Sequence, residues 1–89
     1  MEIASQKDYV YQLLLSGRSI TSYDAMTKHG IGGLRARIAE LILDYNVPIK
    51  KQMEPNANNK GYHVRYSMTA DDILRLRHTP LNKIHELIK

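Results

Sequence analysis

The chain contains no cysteine, which excludes disulfides, thiolate chemistry and cysteine-ligated zinc together and suits a reducing compartment. Nor is there an apolar run approaching the ~20 residues that a membrane-spanning helix needs. The polar start, Met1 to Asp8, has nothing of a secretory signal. The expected location is therefore the cytoplasm, with no membrane partner. Catalytic constellations are missing as well. The four histidines, His29, His63, His78 and His85, are scattered, and no two stand four residues apart as a helical metal-binding pair requires. Asp71-Asp72 is accounted for by helix capping, and Gly30-Ile31-Gly32-Gly33 has neither the preceding strand nor the lysine of a phosphate-binding loop. Neither an enzyme, a metal nor a cofactor is expected. Internal repeats and interdomain linkers are absent too.

What is present is enough for one small domain. A chain of 89 residues, 43% of them hydrophobic, can bury somewhat under ~70% of its unfolded surface. Net charge is +4, and its placement is more informative than its size. Between Arg18 and Arg65 there are eight basic residues (Arg18, Lys28, Arg35, Arg37, Lys50, Lys51, Lys60, Arg65) and four acidic ones (Asp24, Glu40, Asp44, Glu54). The flanking segments nearly cancel, so the surplus falls where a polyanion would be met, although an ordinary solvated surface can also carry it.

The pattern of elements follows from spacing and punctuation. A first helix is expected from about Ser5 to Ser16, with Tyr9, Val10, Leu13 and Leu14 on one face and Gly17 closing it. Arg18-Ser19-Ile20 is too short for an independent strand but long enough for a stub that pairs with a hairpin. Thr21 caps a second helix reaching Lys28-His29, with Asp24 in its first turn; Tyr23, Ala25 and Met26 are its expected buried contacts. Gly30 is the turn, with Ile31 beneath it. A third helix, about Gly32 to Tyr45, places Leu34, Ile38, Leu41 and Tyr45 on one stripe, and Asn46 and Pro48 end it. From Val47 the period becomes two. Val47, Ile49 and Met53 share a face, Lys50 and Gln52 point away, and Lys51 is a mismatch in the apolar phase. Beyond the tip Glu54 to Gly61, Tyr62, Val64, Tyr66 and Met68 share one face, and His63, Arg65 and Ser67 the other. Thr69 caps another helix ending around His78, and Thr79-Pro80 opens a last one with Leu81, Ile84, Leu87 and Ile88 on a stripe.

Two short helices joined by a glycine turn and followed by a basic hairpin are the elements of a helix-turn-helix with a wing, whose commonest use is gripping duplex DNA. On the third helix the face opposite the core stripe is Gly32, Ala36, Ala39 and Leu43. Small residues there let backbone approach DNA closely, and Arg35 can reach a guanine edge or a phosphate. Arg37 borders the stripe and is expected to pair with Asp24 or Asp44. In the wing, Lys50, Lys51, Lys60, His63 and Arg65 are candidate phosphate contacts. Thr21, Ser22 and Lys28 complete the candidate set on the second helix, as do Gly32 and Gly33 at the start of the third.

These residues also carry a resemblance. Ile20-Thr21 opening a helix, Ala25 within it, the Gly30 turn, the run Leu34 to Leu41, Ile49, and Gly61 leading into Arg65 to Met68 look like small phage- and prophage-borne winged helix-turn-helix proteins. The likeness covers about residues 9–68. It implies a mainly α fold with a small β-hairpin, a winged helix-turn-helix domain over 1–68; the two additional C-terminal helices over 69–89 lie outside the match. It also implies a DNA-binding regulator of transcription in the host cytoplasm, with double-stranded DNA as partner and the third helix in the major groove. Two positions depart from it: Asn46-Val47-Pro48 stands where glycine is common, and Gly32-Gly33 where side chains that hydrogen-bond are common. The Leu81/Ile84/Leu87/Ile88 stripe either folds back on the first helix or forms a homodimer. A protein-interaction module using the Ala36/Ala39/Leu43 face, and sequence-tolerant coating of DNA, are the alternative functions.

Overall fold

The computed structural model describes residues 6–80 and residue 83. In chain order its elements are α1 (Gln6–Leu15), β1 (Ile20–Thr21), α2 (Ser22–His29), α3 (Leu34–Tyr45), β2 (Lys50–Pro55), β3 (Tyr62–Ser67) and α4 (Ala70–Leu76). Four helices thus accompany a three-stranded antiparallel sheet in the order β1-β3-β2. The stub expected over Arg18-Ser19-Ile20 is shifted toward α2: the two-residue strand β1 sets Ile20 opposite Tyr66 and Thr21 opposite Arg65. The last helix expected from sequence, with its Leu81/Ile84/Leu87/Ile88 stripe, lies outside the described residues; of that stretch, Lys83 N–H donates to the Pro80 carbonyl at 2.9 Å.

Local chemistry explains where the helices begin and stop. Thr21, extended at φ −112°, accepts from the Asp24 N–H and caps α2, and Thr69 does the same for α4 through Asp72 N–H. α2 ends at Gly30 in the left-handed region, φ 66°. A Cβ there would meet nothing within 4 Å, so glycine is favoured by backbone conformation alone and not by crowding. Asn46 takes the same conformation after α3, and its N–H and that of Val47 close on Ile42 and Leu41 carbonyls. This cap, rather than a strand, places Val47 in the core, 2% exposed, and β2 begins three residues later than the alternation indicates. α3 itself begins at Leu34, because Gly33 is left-handed at φ 71°.

One core joins α1, α2, α3, α4 and the base of the sheet, built from Val10, Tyr11, Leu14, Ile20, Ala25, Ile31, Leu34, Ile38, Leu41, Tyr66 and Leu76 with their neighbours. Tyr11 is fully buried and donates its hydroxyl to the Thr79 carbonyl at 2.8 Å. Tyr9, placed on the core face from spacing, is instead 40% exposed and hydrogen-bonds His29 Nδ1 at 2.9 Å.

The hairpin register pairs Lys51 with Tyr66, Met53 with Val64 and Pro55 with Tyr62. Paired residues project to one side, so Lys51 does share the apolar face, tolerated because β2 is an edge strand and Lys51 is exposed. Burial on this face stops at the base. Tyr66 is buried, whereas Met53 and Tyr62 are 64% and 67% exposed. Tyr23 and Met26, expected as buried contacts of α2, are exposed as well; of that trio Ala25 alone is buried.

Candidate nucleic-acid interface

The hairpin and the start of the α2/α3 pair enclose an open groove of about 900 Å³. Ser22 and Tyr23 at the first turn of α2, Arg35 in the first turn of α3, and Met53, Tyr62 and Val64 on the apolar hairpin face border it. The tip contributes Asn56 and Asn58, and Arg65 and His63 also reach the rim. The groove exists because the strands outrun the helices: the same alternating face that covers Ile20 and the helical core at its base continues outward, and among the described residues nothing covers it.

Arg35 is exposed, and among the described residues no carboxylate pairs with it. Gly33 provides no side-chain cap for α3, whose Ala36 and Arg37 N–H groups close on the Gly33 carbonyl at 3.0 and 3.3 Å. Along the outward face of α3, Ala36 and Ala39 are exposed and Leu43 is 78% exposed. Arg37 pairs with neither Asp24 nor Asp44. Its Nη2 donates to Glu40 Oε2 at 3.2 Å one turn along the same helix, and this also neutralises the acidic residue nearest the outward face.

The face of the hairpin opposite Met53 carries a network that the sequence reading did not foresee. Glu54 sits opposite His63, and its carboxylate accepts from Arg65 Nε, 3.0 Å to each oxygen, and from His63 Nε2 at 3.1 Å. Arg65 also donates to Ser19 Oγ at 3.1 Å and lies 3.7 Å from Asp24. His63 Nδ1 meets Asn56 Oδ1 at 2.8 Å, while Asn56 Nδ2 donates to the Lys60 carbonyl at 2.7 Å. Hairpin, tip and α2 are tied together by one chain of polar contacts. The Arg65 and His63 side chains, expected to be phosphate contacts, are engaged here.

The Arg65 guanidinium, with help from His63, holds the Glu54 carboxyl below its ordinary value of 4.5. A carboxylate whose folded value is depressed stabilises the fold above its unfolded value and loses that contribution as pH falls through the folded one. Acidification below about pH 4.5 is therefore expected to loosen the Glu54–Arg65 contact before the helices melt. The Arg65 Nε–H resonance followed by NMR should shift over that acid range in the native chain and stay unchanged in Glu54→Gln.

The remaining candidates are spread more widely. Thr21 borders the groove but is 4% exposed and spends its hydroxyl on capping α2. Lys28 is exposed at the far end of α2, 3.8 Å from Asp24. Gly32 and Gly33 are exposed in the turn before α3, and Lys60 at the tip. Lys50 and Lys51, both exposed, project to opposite sides of the sheet. The structure thus brings Thr21, Ser22, Arg35, His63 and Arg65 around one groove, which Lys28, Lys50, Lys51 and Lys60 do not line. Tyr23, expected as a buried contact of α2, is exposed; Met53 and Tyr62 keep the apolar strand face expected of them but are exposed too, since alternation identifies a face without showing what covers it. Among the described residues no helix is long and apolar enough to cross a membrane. The chain matches no family model, no curated protein and no solved structure.

Proposed function

We propose that this protein is a winged helix-turn-helix DNA-binding protein, with α2 and α3 as the helix-turn-helix and β2–β3 as the wing. The observation that carries the reading is the placement of Arg35, an exposed cation with no ion pair among the described residues, on the first turn of a glycine-capped helix beside a projecting hairpin. Such a helix can enter a major groove by its N-terminal end, where Ala36 and Ala39 permit close approach and Arg35 meets a base edge or phosphate. Lys50, Lys51 and Lys60 supply sequence-independent contacts to the backbone. Regulation of transcription in a cytoplasm is the role that suits this chemistry, and pairing through the 81–88 stripe would present two copies of α3 to a two-fold symmetric site.

A second reading is favoured by Leu43, which stands 78% exposed in line with Ala36 and Ala39. An apolar stripe of this kind suits a protein partner. Electrophoretic shift titration of the full chain with several duplex sequences at two salt concentrations separates the possibilities. Duplex binding that weakens steeply with salt is expected. A preference among sequences identifies a regulator, indifference to sequence identifies a coating protein, and no shift at any salt rejects DNA in favour of the Leu43 surface.

A further inference from the structure

The groove has a chemistry that duplex docking does not require. Two tyrosines border it, Tyr23 from α2 and Tyr62 from β3, and they are 71% and 67% exposed. Met53, 64% exposed, and the half-buried Val64 opposite it provide apolar floor. The volume of about 900 Å³ falls within the roughly 300–1,000 Å³ range of ligand pockets. Phosphates of an intact duplex gain nothing from tyrosine faces or from a methionine thioether. An unstacked base does, because every base presents a π-face, and stacking on an aromatic side chain is tolerant of sequence.

The polar groups at the rim select among apolar occupants. Asp24 also borders the groove but faces Arg65 and Lys28, and Arg65 faces Glu54 as well. Among the described residues Arg35 is therefore the rim guanidinium without an ion pair, and the place where the rim complements an anion. At the tip, Asn58 spends its side-chain oxygen on the Lys60 N–H at 2.9 Å, leaving its amide N–H groups for an acceptor on a base edge. Aromatic faces, an unpaired guanidinium and a donor amide around one groove match a nucleotide, with the base on tyrosine and the phosphate on arginine. An apolar peptide would have no use for the charge.

We propose that this groove receives an unpaired nucleotide of single-stranded DNA, with Tyr23 and Tyr62 as stacking surfaces and Arg35 as the phosphate contact. The inference rests on the nucleic-acid reading above and adds a mode of recognition to it.

The chain has no tryptophan and six tyrosines, so tyrosine emission reports directly on stacking. A twelve-nucleotide oligothymidylate and a duplex of equal length are titrated into the full-length native protein and into Tyr23→Ala, Tyr62→Ala and Tyr62→Phe. Both tyrosines are exposed, so the variants should keep the native melting temperature. Oligothymidylate is expected to quench tyrosine emission. Each alanine variant should weaken its binding about tenfold, Tyr62→Phe should restore it, and duplex affinity should change less than twofold. Duplex binding with no oligothymidylate binding, or alanine variants that bind oligothymidylate normally, overturns the inference and leaves the duplex reading intact. Failure to bind either nucleic acid overturns both. Concentration-dependent association in sedimentation that disappears in the alanine variants would assign the groove to a second copy of the chain and also overturn it.

Discussion

Arg35→Glu is expected to reduce duplex affinity about a hundredfold, or roughly 3 kcal/mol. A good guanidinium contact to a base edge contributes about 1–3 kcal/mol, and the reversed charge adds repulsion from nearby phosphates. Arg35→Ala should give the smaller part of the loss, near tenfold. The position is suited to this test because it is exposed and engages no carboxylate among the described residues, so neither substitution disturbs a native pair. Arg65 is a poor comparison. Its guanidinium holds Glu54, Ser19 and Asp24 together, and removing it would alter the hairpin as well as the charge. Lys50 is the better control: Lys50→Ala should weaken all duplexes to a similar, smaller extent and lower the salt slope by about one. Anisotropy titrations at two salt concentrations read both effects. Equal affinities for the native chain and Arg35→Glu would end the assignment of α3 to the major groove.

The contrast between Arg35 and Arg65 also shows which physical information a sequence holds. Capping is local, so Thr21, Gly30, Asn46 and Thr69 could be assigned from neighbours a few residues away, and all four cap as their types require. The Leu34/Ile38/Leu41 stripe is equally local, since a helical repeat fixes which side chains lie together. Register across a hairpin is not local. Whether Glu54 meets His63 or slips one place past it depends on how the six residues from Asn56 to Gly61 close the loop, and only the pairing reveals that Glu54 neutralises Arg65. Coverage is still less legible. Met53 and Tyr66 belong to the same alternating face, yet one is exposed and the other buried because the helical layer ends between them. The groove therefore had no signature in the sequence beyond a hairpin with apolar residues near its tip. Arg37 illustrates a third limit: the sequence points to Asp24 or Asp44 as its partner, whereas helix geometry at i, i+3 gives it Glu40.

Tyr11 shows the same limit in the core and leads to the largest expected loss of stability. The α1 pattern favours Tyr9 for burial, but α1 is covered by α4 as well as by α3, and that second cover encloses Tyr11 instead. Its ring is fully buried, and its hydroxyl reaches the Thr79 carbonyl across 68 residues of sequence. Tyr11→Ala should cost about 3–5 kcal/mol, the usual range for deleting a buried aromatic, against a total of about 5–15 kcal/mol for a small domain. A melting point lower by at least about 12 °C follows, read by circular dichroism. Tyr11→Phe keeps the ring and loses only the hydrogen bond, so about 1 kcal/mol is expected. Burial also pushes the phenol up from 10.0 to about 12. A raised folded value means that the contribution is complete below pH 10.0 and is lost as pH rises toward about 12. Native protein should therefore lose stability across that alkaline window, with one tyrosine ionising late by ultraviolet titration, and Tyr11→Phe should lack that late step. A Tyr11→Ala variant no less stable than Tyr11→Phe would show that the ring is not what joins α1 to the segment after α4.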